Sequence, residues 1–490
     1  MLNNPENKTK IKYYILSSLI FIAAVSFRFI KLGSQSMYID EGASWYLSSF
    51  PVCSIVKIIL NINEVHPPFY FYFLHYCMEF FGQSEFVLRL PSVIFGSLCL
   101  ILICRITKKF YDINVSLWAI FLLSFSEFFI NYNQEVRMYS MLSFFTLLSS
   151  YYFLKLIKED CKLVYAIIYA ISTVCCFYTH YLSFFAFLSQ IIFFFIFYND
   201  HKKKSVFIAW TILIPVFLFL PWIKYLFIQL SSQNFLIRPK PGFSSLYNLI
   251  YNITYSEFTG MDNTNILGLS VMFIAALIPV YMLYKSVINK ENKYNYFWIL
   301  YFFLPLILIF GLSNFTKLRI FEYKYFIIFL PGYFILCASS LSKLKSRYLT
   351  IPIASVFLML NFTGYYNRTY EPDYRNQDWR NVSKIINAFS TKNDLVLITP
   401  SMMYMPFSYY NRSHAEILPF DVFSDRKIIM EKIKGKSVLW LAYPPNYPLN
   451  YDLELEKFLN RHCSINKMFL SKRAIPANVL KLTVYENIFK

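Results

Sequence analysis

Apolar runs of roughly 20 residues recur along most of this 490-residue chain, from Ile11 to about Phe362. A helix of about 20 apolar residues is what crosses the core of a lipid bilayer, which is about 30 Å thick. The composition agrees, because 57% of the residues are hydrophobic and only 15% are charged, against about 25% charged in a typical soluble domain. The chain is therefore predicted to be an α-helical polytopic membrane protein, which excludes a soluble enzyme and a disordered chain.

Short basic clusters separate these apolar runs and predict the orientation. Lysine and arginine favour the cytoplasmic ends of membrane spans, so every segment between two consecutive clusters crosses outward and returns. The N-terminus is then cytoplasmic and the C-terminus extracytoplasmic. The net charge of +19 is accordingly interpreted as a topology signal and not as a nucleic-acid surface. The clusters are Lys8/Lys10/Lys12, Arg105/Lys108/Lys109, Lys155/Lys158/Lys162, Lys202/Lys203/Lys204, Lys285/Lys290/Lys293 and Lys343/Lys345/Arg347.

Eleven spans satisfy this alternation within a membrane domain of residues 1–365. The segment His66–Phe81 is too short to be a span, so residues 34–87 are predicted to form one outer loop with short interfacial helices. A second outer loop covers residues 226–265. The predicted spans are 12–32, 88–106, 115–131, 138–157, 163–179, 182–198, 205–225, 266–284, 294–312, 321–341 and 348–364.

After Tyr365 the pattern changes, and residues 366–490 are predicted to form a small extracytoplasmic α/β domain. A helical pattern follows Asp378 up to Phe389. Short runs of alternating or continuous β-forming residues begin at Asp394, Ser437 and Asn478 and indicate strands. Residues 452–461 have a helical pattern between the last two strands.

Two adjacent carboxylates, Asp40 and Glu41, follow the first predicted span. They could supply a general base with a second carboxylate that orients it or a metal ion. They could equally be the acidic first turn of a helix, which the helix dipole favours. A divalent cation on Asp40 or Glu41 stays open, because a carboxylate base works with or without one.

Several cations lie at the predicted outer ends of spans, where the positive-inside rule expects few. Together they indicate a pocket for a phosphate at the membrane surface, although each one alone could be a side chain that reaches toward water. His66, before two prolines, could donate to an anion or be a solvated loop residue, and His180 is a pocket wall or a polar cap. The cations are Arg89, Arg137, Lys317, Arg319 and Lys324.

A series of motifs in fixed order resembles the GT-C membrane glycosyltransferases, in particular the dolichyl-phosphate-mannose–protein mannosyltransferases and the aminoarabinose transferases. The resemblance covers nearly the whole chain. Its motifs are Asp40-Glu41, His66-Pro-Pro-Phe-Tyr, Phe81-Gly-Gln-Ser-Glu-Phe-Val-Leu-Arg89-Leu-Pro-Ser, Asn133-Gln-Glu-Val-Arg137-Met-Tyr, Tyr178-Thr-His-Tyr181, Tyr323-Lys-Tyr325 before Leu330-Pro331, and Asp378-Trp379-Arg380.

The resemblance implies an enzyme that transfers a sugar from a polyprenyl-phosphate donor to an acceptor hydroxyl, with inversion, on the extracytoplasmic side. Asp40 would be the base and Glu41 its neighbour. The donor phosphate would lie near His66, Arg89, Arg137 and Lys324. Glu135, Tyr139, His180, Tyr181 and Tyr325 would support the site.

This chain departs from the family pattern at two places. Phe69-Tyr70-Phe71 follows the prolines where the mannosyltransferases have a basic residue, and Lys324-Tyr325 stands where Arg-Tyr is usual. The first departure means that one phosphate contact must come from elsewhere. The second keeps a positive charge but loses the bidentate fork of arginine.

Two other functions stay open. A flippase for lipid-linked glycans would place charge within the bilayer, where Glu127 is the main candidate. A polymerase of lipid-linked oligosaccharides would share the donor chemistry. The expected partners are a polyprenyl-phosphate-linked sugar, a glycan, lipid or protein acceptor, and the bilayer of a bacterial plasma membrane, with no nucleic acid. The sequence leaves the sugar, the acceptor and the oligomeric state open.

Overall fold

A computed structural model describes residues 5–232, 239–259, 281, 284, 292–344, 346–371, 377–421, 427–434, 436, 438–443, 457, 463–469 and 478–484. The chain forms two compact units. The first comprises Met1–Leu32 and Pro51–Tyr366, and the second comprises Gly33–Phe50 and Asn367–Lys490. The predicted boundary after residue 365 thus lies next to the end of the first unit, whereas the segment Gly33–Phe50 groups with the second.

Helices make up the described part of the first unit. Two short helices of this unit, α3 and α4, and the helix α2 of the second unit precede α5, so the predicted loop 34–87 contains short helices as expected. The helices of the first unit are α1 (Pro5–Phe29), α3 (Val52–Asn61), α4 (Phe69–Phe81), α5 (Glu85–Phe110), α6 (Ile113–Phe125), α7 (Glu127–Asn133), α8 (Tyr139–Lys158), α9 (Leu163–Phe177), α10 (Ser183–Ile196), α11 (Ser205–Phe219), α12 (Ile223–Ser232), α13 (Phe243–Tyr255), α14 (Tyr294–Phe315), α15 (Leu330–Leu341) and most of α16 (Arg347–Tyr370). Helix α2 (Ile39–Ser48) belongs to the second unit.

Six stretches of helix among the described residues are long and apolar enough to cross a membrane, and a bent pair, α6 with α7, would make a seventh. The count of eleven spans therefore stays a prediction. Helices α9, α10 and α15 match predicted spans but are shorter than 18 residues. The predicted span 266–284 lies outside the described residues except for Tyr281 and Tyr284. The six are Thr9–Phe29, Glu85–Phe110, Tyr139–Lys158, Tyr198–Ser231, Tyr294–Phe315 and Tyr348–Tyr370.

The predicted straight span 115–131 is broken in the structure, because α6 and α7 meet at an angle of 60°. Ser126 lies at the break in an extended conformation, and its hydroxyl accepts a hydrogen bond from the Phe129 amide at 3.3 Å. A serine in this position starts a new helix, since its side chain satisfies an amide that the first turn leaves unpaired. The break directs α7 toward the loop that carries Arg137.

The second unit contains a five-stranded mixed sheet of order β2-β1-β3-β5-β4. Strand β1 is parallel to β2 and to β3, whereas β5 is antiparallel to β3 and β4. The strands are β1 (Leu395–Ile398), β2 (Glu416–Pro419), β3 (Val438–Tyr443), β4 (Cys463–Phe469) and β5 (Asn478–Val484), and the helices are α17 (Trp379–Phe389), α18 (Tyr404–Tyr410) and α19 (Lys427–Ile433).

Alternation along these strands gives the sheet two apolar faces. One face, with Val396 and Trp440, packs against Trp379 of α17 and Phe407 of α18. The other, with Leu395 and its neighbours, packs against α19. The predicted α/β character of the C-terminal region is confirmed at the level of a small mixed sheet. Strands β2 and β4 were not predicted, and the helix expected over 452–461 falls almost wholly outside the described residues.

Candidate active site

The loop before α4 holds His66 in a fixed position. The ring Nδ1 of His66 lies within hydrogen-bond distance of the Glu64 carboxylate, and the His66 side chain is buried. The Phe69 amide donates to the Tyr178 carbonyl at 3.0 Å, which ties the start of α4 to the end of α9. Because the carboxylate accepts from Nδ1, that nitrogen of His66 carries a proton.

A chain of side-chain hydrogen bonds through Gln229, Tyr181 and Trp222, which we call the strap, holds the same loop to α12. Gln229, with 2% of its surface exposed, donates from Nε2 to the Glu64 carbonyl at 2.6 Å. Its Oε1 accepts from the Tyr181 hydroxyl, which in turn accepts from Trp222 Nε1 at 2.9 Å. Tyr181, predicted as a supporting residue, therefore positions the His66 loop through Gln229.

His180 lies against His66, with ring centroids 4.6 Å apart and planes at 64°. The Tyr325 ring is 5.4 Å from the His180 ring and the Tyr139 ring is 6.4 Å from it. His180 Nδ1 accepts a hydrogen bond from the Leu182 amide at 3.1 Å. Four predicted site residues from separate segments of the chain thus meet at one place.

Two further predicted cations reach this place. Burial lowers the pKa of His180 well below its usual value of 6.5, and the charges of His66, Arg137 and Lys324 lower it further. The Arg137 guanidinium is buried and lies 5.7 Å from the centre of the Tyr139 ring, and Lys324 Nζ lies 6.0 Å from the centre of the Tyr325 ring. We call the six residues His66, Arg137, Tyr139, His180, Lys324 and Tyr325 the basic cluster.

The loop of Arg137 is held by its backbone. The Ser92 hydroxyl of α5 donates to the Glu135 carbonyl at 2.5 Å and lies 3.2 Å from the Arg137 carbonyl. Gln134 Nε2 donates to the Arg28 carbonyl at the end of α1 at 2.9 Å. Glu135, predicted as a supporting residue, is partly buried in this loop. Because two neighbouring helices fix the loop, the guanidinium is directed with little freedom.

Arg89 has a structural contact that the sequence did not predict. Its side chain is buried, and Nη1 donates to the Leu32 carbonyl at 2.8 Å, just beyond the end of α1. Cations favour such helix C-termini, where carbonyl groups lack intrahelical partners. Arg319 similarly donates to the Thr316 carbonyl at 2.8 Å after α14. For these two arginines the structure therefore adds a capping role.

Asp40 and Glu41 belong to the second unit and lie in the first turn of α2, as the helix-dipole interpretation requires. Glu41 has 0% of its surface exposed. Helix α2 is fixed by Ile39, which packs against the sheet, and by Gly42, where a Cβ would lie 2.5 Å from the Pro406 nitrogen.

The described residues contain no group of three or more histidine, cysteine, aspartate or glutamate side chains that could hold a metal ion. The pair Asp40 and Glu41 is too small a set for that test. The divalent cation at this pair remains a prediction.

Comparison with known proteins places these contacts in a family context. Residues 65–225 match the family model of the dolichyl-phosphate-mannose-protein mannosyltransferases. This stretch contains His66, Arg89, Arg137, His180 and Tyr181. No curated protein sequence matches the chain.

Solved structures match almost the whole chain. ArnT from Cupriavidus metallidurans bound to undecaprenyl phosphate aligns with a TM-score of 0.61 and 11% identity over 96% of this chain and 98% of that chain. This chain has the same fold as ArnT. An Archaeoglobus fulgidus oligosaccharyltransferase in complex with Zn and sulfate aligns with a TM-score of 0.53 and 11% identity over 86% of this chain and 67% of that chain. AglB from the same organism, in complex with an inhibitory peptide and a dolichol-phosphate, gives 0.51 and 11% over 88% and 69%.

The predicted resemblance and the predicted enzyme class, a membrane glycosyltransferase, are confirmed by the family match together with this fold. Most of the residues that the structure brings together were predicted from the sequence as site residues. No role was predicted for Glu64, Gln229, Trp222 or Ser92. Glu64 could have been found from its position two residues before His66. Gln229 lies 163 residues from His66 and belongs to no motif, so no sequence feature connects the two.

Proposed function

We propose that this GT-C glycosyltransferase transfers a sugar from a polyprenyl-phosphate donor to an acceptor hydroxyl, with inversion at the anomeric carbon, on the extracytoplasmic side of the membrane. The observation that carries the proposal is the basic cluster, in which the charges of His66, Arg137 and Lys324 converge on one buried histidine. Like charges that converge in a buried place repel each other, so an anion there is stabilised. A phosphate is the anion that this enzyme class brings to its site.

The cluster suits the phosphate as a leaving group. Charge grows on the phosphate oxygens as the glycosidic bond breaks, and fixed cations stabilise the transition state without reorganising. Arg137 would contact two oxygens through its planar fork, whereas Lys324 would act as a point charge. A polyprenyl phosphate already leaves readily, so a general acid is unnecessary.

Inversion requires one base for the acceptor hydroxyl, and we assign this role to Asp40 with Glu41 as its neighbour. Burial supports the assignment, because Glu41 is wholly enclosed at the start of a helix whose backbone packs closely on Pro406 within the same unit. Glycans, lipids and proteins all offer such an acceptor hydroxyl. The proposed side of the membrane rests on the six basic clusters, which the positive-inside rule assigns to the cytoplasm.

The test is turnover by purified enzyme in lipid nanodiscs with a panel of polyprenyl-phosphate sugars and acceptors. Asp40→Asn should abolish transfer, because an amide cannot accept the hydroxyl proton, while membrane insertion and thermal stability stay near those of the wild type. Glu79→Gln removes an exposed carboxylate in α4 and serves as the matched control. Near-normal turnover of Asp40→Asn would refute the assignment.

Glu127, the main candidate residue for a flippase, has hydrogen-bond partners within the chain. The Glu127 carboxylate accepts from Ser256 at 2.6 Å, and the Glu127 amide donates to Asn361 at 2.7 Å, so this residue joins α7 to neighbouring segments. A group engaged in this way is suited to holding helices together. The same assay tests a polymerase, since donors that carry oligosaccharides would then give products longer by several sugars per turnover.

A further inference from the structure

His180 has a fixed tautomer that its neighbours determine. Its Nδ1 accepts the Leu182 amide proton at 3.1 Å. An imidazole nitrogen that accepts has no proton, so the proton of the neutral ring lies on Nε2. His180 is 7% exposed, and within the described part of the chain Nε2 has no hydrogen-bond partner. The ring therefore presents a buried N–H donor on the side opposite its own turn.

His66 beside it has the other arrangement. Its Nδ1 faces the Glu64 carboxylate, which places a proton on Nδ1. The two neighbouring histidines are thus held differently, one by a carboxylate and one by a backbone amide. Environments that divide a pair of titratable groups in this way assign them distinct chemical roles.

The groups that face His180 oppose its protonation. They are His66, Arg137 and Lys324, whose charges together with burial lower its pKa well below 6.5, and the rings of Tyr139 and Tyr325. Within the described residues, no carboxylate is among the causes of this shift. His180 is therefore neutral at the pH of transfer, and its contribution is a hydrogen bond and not a charge.

We propose that His180 donates its Nε2–H to a phosphoryl oxygen of the polyprenyl-phosphate donor, as a neutral donor among the cations of the basic cluster. The unmet buried donor supports this role, because such a group costs stability unless a ligand satisfies it. A neutral N–H adds a hydrogen bond without adding a fourth charge to the repulsion among His66, Arg137 and Lys324. The inference rests on the proposed function and deepens it.

Two variants separate this role from a structural one. In His180→Gln, the amide nitrogen takes the place of Nε2 and keeps a donor, but the acceptor for Leu182 is lost. In His180→Asn, the amide oxygen takes the place of Nδ1 and keeps the Leu182 contact, but no donor remains at Nε2. We expect kcat/KM of His180→Asn to fall about 10- to 100-fold, as for one hydrogen bond to a charged group, and His180→Gln to retain most of its activity. His75→Asn and His75→Gln in α4 are the matched controls.

The opposite order, with His180→Asn active and His180→Gln impaired, would mean that the residue only stabilises its turn and would overturn the proposal. Equal activity of both variants and the wild type would overturn it as well. A third outcome would also contradict a phosphate contact. In it, both His180 variants lose transfer and the His75 controls do not, but His180→Asn binds undecaprenyl phosphate as tightly as the wild type does. Failure of the proposed function is distinguishable, because Asp40→Asn would then remain active.

Nitrogen NMR of enzyme labelled at histidine gives a readout independent of turnover. The wild type should show one neutral Nε2–H signal that is absent in His180→Gln and does not titrate over about pH 5 to 8. Added undecaprenyl phosphate should shift this signal. A signal that titrates in this range, or that does not respond to undecaprenyl phosphate, would refute the inference.

Discussion

Removal of the strap between α12 and the His66 loop should impair transfer although the strap has no place in the proposed chemistry. Gln229→Leu deletes the donor to the Glu64 carbonyl at 2.6 Å and the acceptor of the Tyr181 hydroxyl. The Glu64 carbonyl and the Tyr181 hydroxyl then each lose a buried hydrogen bond. Each unsatisfied buried group costs about 1 to 3 kcal/mol of free energy. The His66 loop loses its tie to α12, and we expect kcat/KM to fall between about 5- and 150-fold for the loss of one such contact.

A double-mutant cycle distinguishes a connected strap from two unrelated contacts. Tyr181→Phe alone should impair the enzyme, because it removes the hydroxyl that joins Trp222 to Gln229. Combined with Gln229→Leu it should add little, since residues in one hydrogen-bond chain are not additive. Ser231→Ala, on the exposed side of the same helix, is the control. The reasoning would be refuted if the two losses added fully, or if Gln229→Leu kept wild-type kcat and KM in the nanodisc assay.

Three further predictions concern charge. Arg137→Lys should lower kcat/KM about 10-fold or more, because the bidentate contact is lost, whereas Lys324→Arg should be tolerated. The reverse order in steady-state kinetics would contradict the contacts assigned to the two residues. Because His180 is neutral when folded and binds a proton when unfolded, the free energy of unfolding should fall as pH drops below about 6.5. As the pH is lowered, the melting temperature of the wild type should therefore fall more steeply than that of His180→Asn. If a divalent cation on Asp40 or Glu41 supports catalysis, EDTA should abolish turnover and added Mg²⁺ or Mn²⁺ should restore it, whereas unchanged turnover in EDTA would contradict a metal requirement.

The fold was predictable where local pattern decides it. Long apolar runs predicted helices α1, α5, α8 and α14, because length and hydropathy alone suit a bilayer. The bend at Ser126 was not predicted, since an apolar run continues across it and only a single capping hydroxyl marks the break. Strand β2 has four residues and β4 contains Asn466 and Lys467, so neither gives a clear alternation.

The candidate site was predictable in its charged members and not in their supports. His66, Arg137, His180 and Lys324 could be selected because cations and histidines are rare at span ends. Their arrangement depends on contacts such as that of Gln229 with Glu64, which joins positions 165 residues apart. Such pairs follow from helix packing, and one sequence contains no signal that identifies them.

Arg28 illustrates why a buried cation has no role until its partners are known. An arginine within an apolar run is ordinarily a hypothesis of function. Here Nε donates to Asn133 Oδ1 and Nη1 to the Ala24 carbonyl, both at 2.7 Å, and Nη1 also lies 3.4 Å from the Ser124 carbonyl beside the bend. These partners lie within the chain, so Arg28 joins α1 to the two halves of the broken helix.

The same physical rule leads to the opposite conclusion at the basic cluster. Arg28 is one cation whose Nε and Nη1 donate to oxygen acceptors of the chain, and these contacts offset part of the cost of its burial without a ligand. Its Nη2 has no hydrogen-bond partner among the described residues. At His180 three positive groups from different segments act on one neutral ring, and the chain gathers them in spite of their repulsion. Positive groups gathered around a neutral hydrogen-bond donor are what a phosphate site requires. Convergence of like charges, and not the burial of any single one, is therefore the feature that distinguishes the proposed donor site from a helix clamp.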